Sequence, residues 1–525
     1  MNHIVSMPNN RFVLLVGSYN NEKWVAQNIE SVLQQTHKNF RLVYYNAAST
    51  DKTYELVQSY AKQDTRITLH STSTRNLKTW FFHNLPLIET IYDNDIICVL
   101  DGDDFLSNDE VLNYLNEIYN QTNCWMTYGG MICWEGGDKI AEPFPQNSVP
   151  PPEIFAQKLY RKDLWRYSHM RTARGFLWKR LNTEDFTSSY DGKYLSMCDL
   201  PTVYPMLEMC PAHKIFRIEE SIYILNISKE NGCRSSEELK VANLERIYET
   251  EIRNRPKRPE LTVVSPTLAG GLGNQMFEIA VAASLAKDNN ALALINPSEH
   301  ILPNQGRNVN IYLNNIFSRV AIDRNPPVHD HIAVETINYQ PIEFKPNIKL
   351  RGHFQSYKYF NHNRQYIIDL FAPTFDINKH IAKTYPEDKS KITAIQVRRG
   401  DYYKFPNHHP LLASEYYIET IKAINSEEIW VFSDDILWCQ ENLHFDCPTR
   451  YIKDEDYIEL YTISLCKNIV IANSSFGWWA AYLKNTPGQI FAPYPWFGTA
   501  FLTEGFKYND LIPNEWTVIN TCKTV

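Results

Sequence analysis

Gln396-Val-Arg398-Arg399-Gly400-Asp401-Tyr402 follows the apolar run Ile392-Thr-Ala-Ile395, and this junction sets the reading of the second half of the chain. The run predicts a buried strand, and Gly400 lets the backbone turn sharply behind it. Two guanidinium groups and a carboxylate are thereby placed at a strand's C-terminal edge, where open α/β sheets bind their ligands. Arginine offers a planar fork of donors that matches phosphate oxygens, each charge-assisted bond contributing roughly 1.5–3 kcal/mol. A nucleotide diphosphate suits such an edge. A surface arginine pair bridged to Asp401 suits the same seven residues, so the choice rests on the rest of the chain.

With 525 residues the chain is long enough for two large α/β domains. Its net charge of -8 argues against nucleic acid as the main partner, so any phosphate recognition must be local. The cysteines at 98, 124, 133, 198, 210, 233, 439, 447, 466 and 522 form no paired metal-ligand spacing such as C-x-x-C. They read as buried thiols of a reducing compartment. Residues 1–10 lack a basic segment followed by an apolar run, and no stretch approaches 18 uninterrupted apolar residues. The expectation is a cytoplasmic protein without a transmembrane anchor, free or peripheral to a membrane.

The first half alternates strand and helix. Phe12-Val-Leu-Leu-Val16 precedes Gly17-Ser18-Tyr-Asn20-Asn-Glu22 and a helical pattern from Trp24 to Gln34. Phe40 to Tyr45 repeats the strand, Ser49-Thr-Asp51 can cap a second helix, Ile67 to Leu69 is a third strand, and Asp95 to Leu100 a fourth. That order implies a mostly parallel sheet. The fourth strand ends in Asp101-Gly-Asp103-Asp104. Carboxylates two apart on such a loop can hold a divalent ion against a diphosphate, although an acidic turn alone also serves as a solvated loop or helix cap.

Taken together, residues 10 to 230 resemble the family 2 glycosyltransferases, which have the GT-A fold. The resemblance implies that Asp101 and Asp103 contact the donor's ribose and a Mn2+ or Mg2+ ion, Asp103 being the more direct ligand. It also sets the loop from Ser18 through Asn20 to Glu22 beside the nucleotide of a donor such as a UDP-sugar. The family commonly reads Asp-Asp-Gly-Ser-Thr-Asp after the second strand, whereas this chain has Asn46-Ala-Ala-Ser-Thr-Asp51. Asn46 can still hydrogen-bond a base, but the missing aspartates leave the nucleotide and the activity open. An acidic residue near a later helix start is the family's general base, and Asp199 takes that place, with Glu184 and Asp185 as competitors and a helix cap as the plain alternative. His169 and Arg171 are candidates to line the acceptor or diphosphate, a packed histidine being the other reading.

Arg253-Asn-Arg-Pro256-Lys-Arg-Pro259-Glu is basic, has two prolines and lacks apolar periodicity. It predicts an exposed connector over 253–260 between domains at 1–252 and 261–525. Leu261 to Val264 then reads as a new first strand, and Gly270-Gly-Leu-Gly-Asn274-Gln275-Met-Phe277 as a turn entering a helix. Arg351-Gly-His353-Phe-Gln-Ser-Tyr357, Val431-Phe-Ser-Asp434-Asp435 and Ala472-Asn473-Ser474-Ser475-Phe-Gly-Trp-Trp479 follow in order around the arginine motif.

This series strongly resembles the family 11 α-1,2-fucosyltransferases over about residues 262 to 500. The resemblance implies a GT-B-like pair of Rossmann-type lobes, GDP-fucose as donor, a glycan acceptor, inversion at the sugar carbon and no cofactor. Arg398 and Arg399 would clamp the diphosphate and stabilise its growing charge, Arg398 being the essential one and Asp401 orienting them. Where the family usually has histidine this chain has Gln396, which cannot titrate. Asp434 or Asp435 could accept from guanine or cap a turn. Asn473, Ser474 and Ser475 could hold phosphate or fucose at a helix start, and Asn274, Gln275 and His353 are candidates for the cleft floor. The reading is a bifunctional glycosyltransferase. An inactive first module, or a glycan-binding protein without turnover, are the alternatives.

Overall fold

The computed structural model describes residues 9–73, 78–137, 139–140, 149–228, 236–301, 307–336, 338–424, 426–505 and 510–521. The chain divides into two compact units, Met1–Leu261 and Thr262–Val525. No described helix is long and apolar enough to cross a membrane. The eight described cysteines are all free thiols.

The first unit is built on one mixed sheet of β1 (Phe12–Ser18), β2 (Phe40–Ala47), β3 (Ile67–Thr72), β4 (Ile96–Asp101), β5 (Phe105–Leu106), β6 (Met126–Trp134), β7 (Lys139–Ile140), β8 (Arg171–Arg174) and β9 (Ile215–Asn226). Its order is β3-β2-β1-β4-β8-β6-β9-β5, with β7 on β6. The first four strands are parallel, as the strand-helix alternation predicts. The sheet becomes mixed where β8 joins β4 antiparallel. All seven residues of β1 are buried, the mark of a parallel strand covered on both faces. Helix Val25–Leu33 presents Val25, Asn28, Ile29 and Val32 inward, a 3.6-residue stripe. Its one polar member is tied down, because Asn28 Nδ2 donates to the carbonyls of Asp101 and Asp104 at 2.9 and 2.7 Å.

None of residues 253–260 is buried, as expected of a connector, but the segment is tied to the first unit. Helix Ser236–Asn254 runs into it, and Arg255 then donates to the carbonyls of Glu184, Asp185 and Thr187. Arg258 pairs with Asp185 at 2.6 Å, and its amide reaches Glu208 at 3.0 Å. Glu208 is itself buried in a two-pronged pair with Arg161. The basic residues that made this stretch read as solvated are those that bind it to the first unit.

The second unit holds two parallel sheets, each with the character of a Rossmann-type lobe, in a GT-B-like arrangement. One comprises β10 (Val263–Pro266), β11 (Leu292–Ile295), β12 (Ala321–Ile322), β13 (His331–Val334) and β14 (Ile348–Arg351), in the order β12-β11-β10-β14-β13. The other comprises β15 (Ile392–Val397), β16 (Glu428–Ser433), β17 (Thr449–Ile452), β18 (Asn468–Val470), β19 (Ile490–Tyr494) and β20 (Thr517–Asn520), in the order β17-β16-β15-β18-β19-β20. Two helices seam the lobes, Leu272–Asp288 after β10 and Ser475–Tyr482 after β18. They approach so closely that a Cβ on Gly273 would lie 2.4 Å from the carbonyl carbon of Ser475. Below that contact Phe277 packs on Trp478, ring centroids 4.5 Å apart, and both Trp478 and Trp479 are fully buried core.

Candidate active sites

In the second unit a cleft of about 750 Å³ is lined from both lobes, by Gly270 to Asn274, His353, Gln396 to Arg398, Asp401, Asp434 and Asn473 to Ser475 among others. The helices Leu272–Asp288 and Ser475–Tyr482 both begin on its wall. Neither start has a side-chain cap, so both present the positive end of a helix dipole to the cleft, an arrangement suited to an anion. Arg398 lies at this point. Its guanidinium is held 2.6 Å from Asp401 and 3.0 Å from Asp434, a third of its surface remaining exposed. A Cβ on Gly400 would meet Asp434 Oδ2 at 2.6 Å, so a side chain there would push that carboxylate away from Arg398.

Arg399 does not join Arg398 in a clamp. It is buried on the other side of the loop, 3.6 Å over the Trp438 ring, with its Nε donating to Tyr403 Oη at 2.9 Å. Successive residues leaving a strand point to opposite faces, so only one of the pair reaches the cleft. Asp435 likewise lies outside the lining, capping helix Ile436–Asn442 through the Trp438 amide. Asp434 faces the cleft, but its carboxylate is engaged by Arg398 and by the Arg399 amide. Gln396 is buried and splints two strands, accepting from the Ala472 amide at 3.2 Å.

Asn473 is fixed by donating to the carbonyls of Pro410 and Trp496, while its Oδ1 is buried without a protein partner. A buried acceptor in a cleft wall awaits a ligand or water. Asn274 also lines the cleft and accepts from Gln355 at 2.8 Å. Gln275 does not: it points inward to the carbonyls of Gly270 and Arg307. His353 stands on the loop after β14, where Gly352 takes φ +140°. Its Nδ1 is 2.8 Å from Oε1 of Glu278, a side chain with no exposed surface. Burial pushes Glu278 up to about 7, and the bond to Glu278 raises His353 above the ordinary imidazole value. The sequence reading missed Glu278. Its signal was a lone acid inside the apolar run Met276 to Ala280.

In the first unit, Gly102 brings the acidic loop against the first loop so tightly that a Cβ would lie 2.6 Å from Ser18 Oγ. Asp104 turns inward to Tyr223 Oη and the Asn226 amide at 2.6 and 2.8 Å, and burial raises its carboxyl. Asp101 lies 3.5 Å from His169, whose ring stacks on Tyr223. The His169 ring is 2.8 Å from Arg171 Nη2, and Arg171 Nη1 is 2.9 Å from Asp199. Asp101, His169, Arg171 and Asp199 thus form one continuous ladder. Cys198 occupies the helix cap and Asp199 the first helical position.

Asn20 and Glu22 are spent on lacing loops together, Asn20 to Thr50 and Glu22 to the Lys52 amide. Asn46 is buried, donating to Ser71 Oγ with its Oδ1 unpartnered. The competitors of Asp199 are elsewhere: Asp185 closes a capping box with Asn182, and Arg255 binds the Glu184 carbonyl. Among the described residues no three His, Cys, Asp or Glu side chains are grouped to hold a metal ion by themselves.

Residues 234–520 match the model for glycosyl transferase family 11, and residues 14–135 that for glycosyl transferase family 2. The second half is similar to an alpha-1,2-colitosyltransferase of Escherichia coli, 28% identical over 49% of this chain and 99% of the relative. It is also similar to galactoside alpha-(1,2)-fucosyltransferase 1 of Bos taurus, 24% identical over 48% of this chain and 74% of the relative. The first half is similar to an uncharacterized glycosyltransferase of Haemophilus influenzae, 33% identical over 24% of this chain and 50% of the relative.

Proposed function

The chain belongs to glycosyl transferase family 11, and from that premise we propose that its second unit transfers L-fucose from GDP-fucose to a galactose-type hydroxyl in α-1,2 linkage. The observation that carries this reading is Arg398, braced by Asp401 and Asp434 where two helix N-termini meet a cleft. A departing GDP gains negative charge, and a braced guanidinium stabilises that charge without having to reorganise. Asn473, Ser474 and Ser475 supply further polar groups on the same wall. The test is GDP release from GDP-fucose with a galactose-terminated acceptor, run beside GDP-colitose because a relative bears that sugar's name. Acceptor-dependent turnover of neither donor refutes the reading.

For the first unit we propose a second, inverting transfer from another nucleotide-sugar, such as a UDP-sugar, with Asp199 as general base held by Arg171. Asp101 and Asp103 would hold Mg2+ or Mn2+ against the donor diphosphate, the ion supplying charge neutralisation of the leaving group. Chelation, or Asp103→Ala, should stop this reaction and leave fucose transfer intact. The burial of Asn46 against Ser71 and the engagement of Asn20 and Glu22 favour one competing reading, an inactive first unit that binds acceptor. Donor screening on the full chain with Arg398→Ala, which silences the second site, separates the two.

A further inference from the structure

Transfer of a sugar to a hydroxyl releases a proton, and most titratable groups of the second unit's cleft are committed elsewhere. Asp401 and Asp434 both brace Arg398. Asp456 accepts from Tyr312 Oη at 2.6 Å and faces Arg307. Glu459 accepts the Asp454 amide and pairs with Lys453. Two histidines remain on the wall, His353 and His409. They differ in what surrounds an added proton. The ring of His409 stacks on Tyr402 at 4.6 Å; burial holds its pKa below the ordinary value, the Asp401 charge opposing this and the His408 and Arg398 charges adding to it. His353 has 45% of its side chain exposed and a buried carboxylate on Nδ1.

On these grounds we infer that His353 Nε2 takes the acceptor hydroxyl's proton during sugar transfer, with Glu278 as its positioning residue. The inference rests on the transfer reaction proposed above. The acceptor oxygen forms its bond to the anomeric carbon as the bond from that carbon to the diphosphate oxygen breaks. GDP leaves with the electron pair, and the hydroxyl proton passes to Nε2. The resulting imidazolium is paired with Glu278, which is why a carboxylate belongs on the far nitrogen. Glu278 is itself fixed by the Ala269 amide at 2.9 Å, and Glu335 anchors the loop by accepting the His353 amide at 2.7 Å. Both carboxylates facing His353 favour its protonated form. The unprotonated pair is the active form, so kcat should rise with pH through a limb above the ordinary imidazole range.

The experiment uses the full chain with GDP-fucose and a galactose-terminated acceptor. His353→Gln should lower kcat about 10²–10⁴-fold while calorimetry finds GDP binding unchanged. Glu278→Gln should move the acid limb of kcat to lower pH, because the imidazolium loses its countercharge; a purely structural role would leave the limb in place. Wild-type kcat in His353→Gln, a stationary limb in Glu278→Gln, or disappearance of the limb in His409→Gln instead would overturn the assignment alone. A wild-type chain that binds GDP but transfers neither fucose nor colitose would overturn both it and the reaction it serves.

Discussion

Arg398 Nη2 lies 2.6 Å from Asp401 Oδ1, and Nη1 of the same guanidinium lies 3.0 Å from Asp434 Oδ2. The two carboxylates brace the guanidinium on the cleft wall, and a third of its surface stays exposed. Arg398→Ala should therefore reduce fucose transfer about 10²–10³-fold, the usual cost of one aimed donor of this kind. Arg398→Lys should not rescue it, because an ammonium cannot meet Asp401, Asp434 and a diphosphate oxygen in a single plane. GDP release kinetics on the three proteins check both statements.

Arg399 should behave in the opposite way. Its guanidinium stacks 3.6 Å over Trp438 and bonds Tyr403, so Arg399→Ala removes packing under the loop rather than a group facing the donor. The expected result is a loss of about 1–3 kcal/mol in unfolding free energy, with a smaller fall in kcat than Arg398→Ala. Denaturant melts alongside the kinetics decide it. A kcat loss equal to that of Arg398→Ala at unchanged stability would restore the two-arginine clamp.

The contrast between these neighbours marks how far the sequence carried. Strands such as β1 and β4 were legible because a parallel strand buried on both faces leaves a nearly unbroken apolar run, and the acidic motif after β4 and the arginine motif after β15 point to the two candidate sites. Which face each residue takes was written there too, in the two-residue alternation; Arg398 read as the essential member of the pair, but nothing in the motif tells that Trp438 claims Arg399. Glu278 was hidden for another reason. Helix Leu272–Asp288 is buried nearly all round, so a single acid in it has no polar face to belong to, and its partner His353 lies 75 residues away. The partners of Arg255 and Arg258 are about as remote, so composition alone made their segment look free.

That segment gives a prediction about the boundary. A fragment of residues 1–261 keeps Arg255, Arg258 and the bond from the Leu261 amide to the Met209 carbonyl. A fragment of residues 1–252 loses all three and leaves Glu208 without the Arg258 amide. The longer piece should melt cooperatively at a distinctly higher temperature than the shorter. Glu208→Ala in the longer piece should cost about 3–5 kcal/mol, since it strands the buried Arg161 charge. Equal melting of the two fragments would mean that the segment carries no stability.

The seam between the lobes offers the sharpest structural test of the second site. Gly273 lies in the first turn of its helix, where alanine would ordinarily gain up to about 1 kcal/mol in helix propensity. Here an added Cβ would sit 2.4 Å from the Ser475 carbonyl carbon and 2.5 Å from the Phe476 nitrogen. Both are backbone atoms that cannot rotate away, so the overlap must outweigh the propensity and push the two helix N-termini apart. If those termini grip the diphosphate together, Gly273→Ala forfeits roughly one charge-assisted contact, about 1.5–3 kcal/mol. GDP binding by calorimetry should then weaken roughly 10- to 100-fold. Gly271→Ala is the control for the fold, since a Cβ there meets nothing within 4 Å, and it should melt as the wild type does. Wild-type GDP affinity in Gly273→Ala would mean that the anion is held by Arg398 alone, with the helix termini as bystanders.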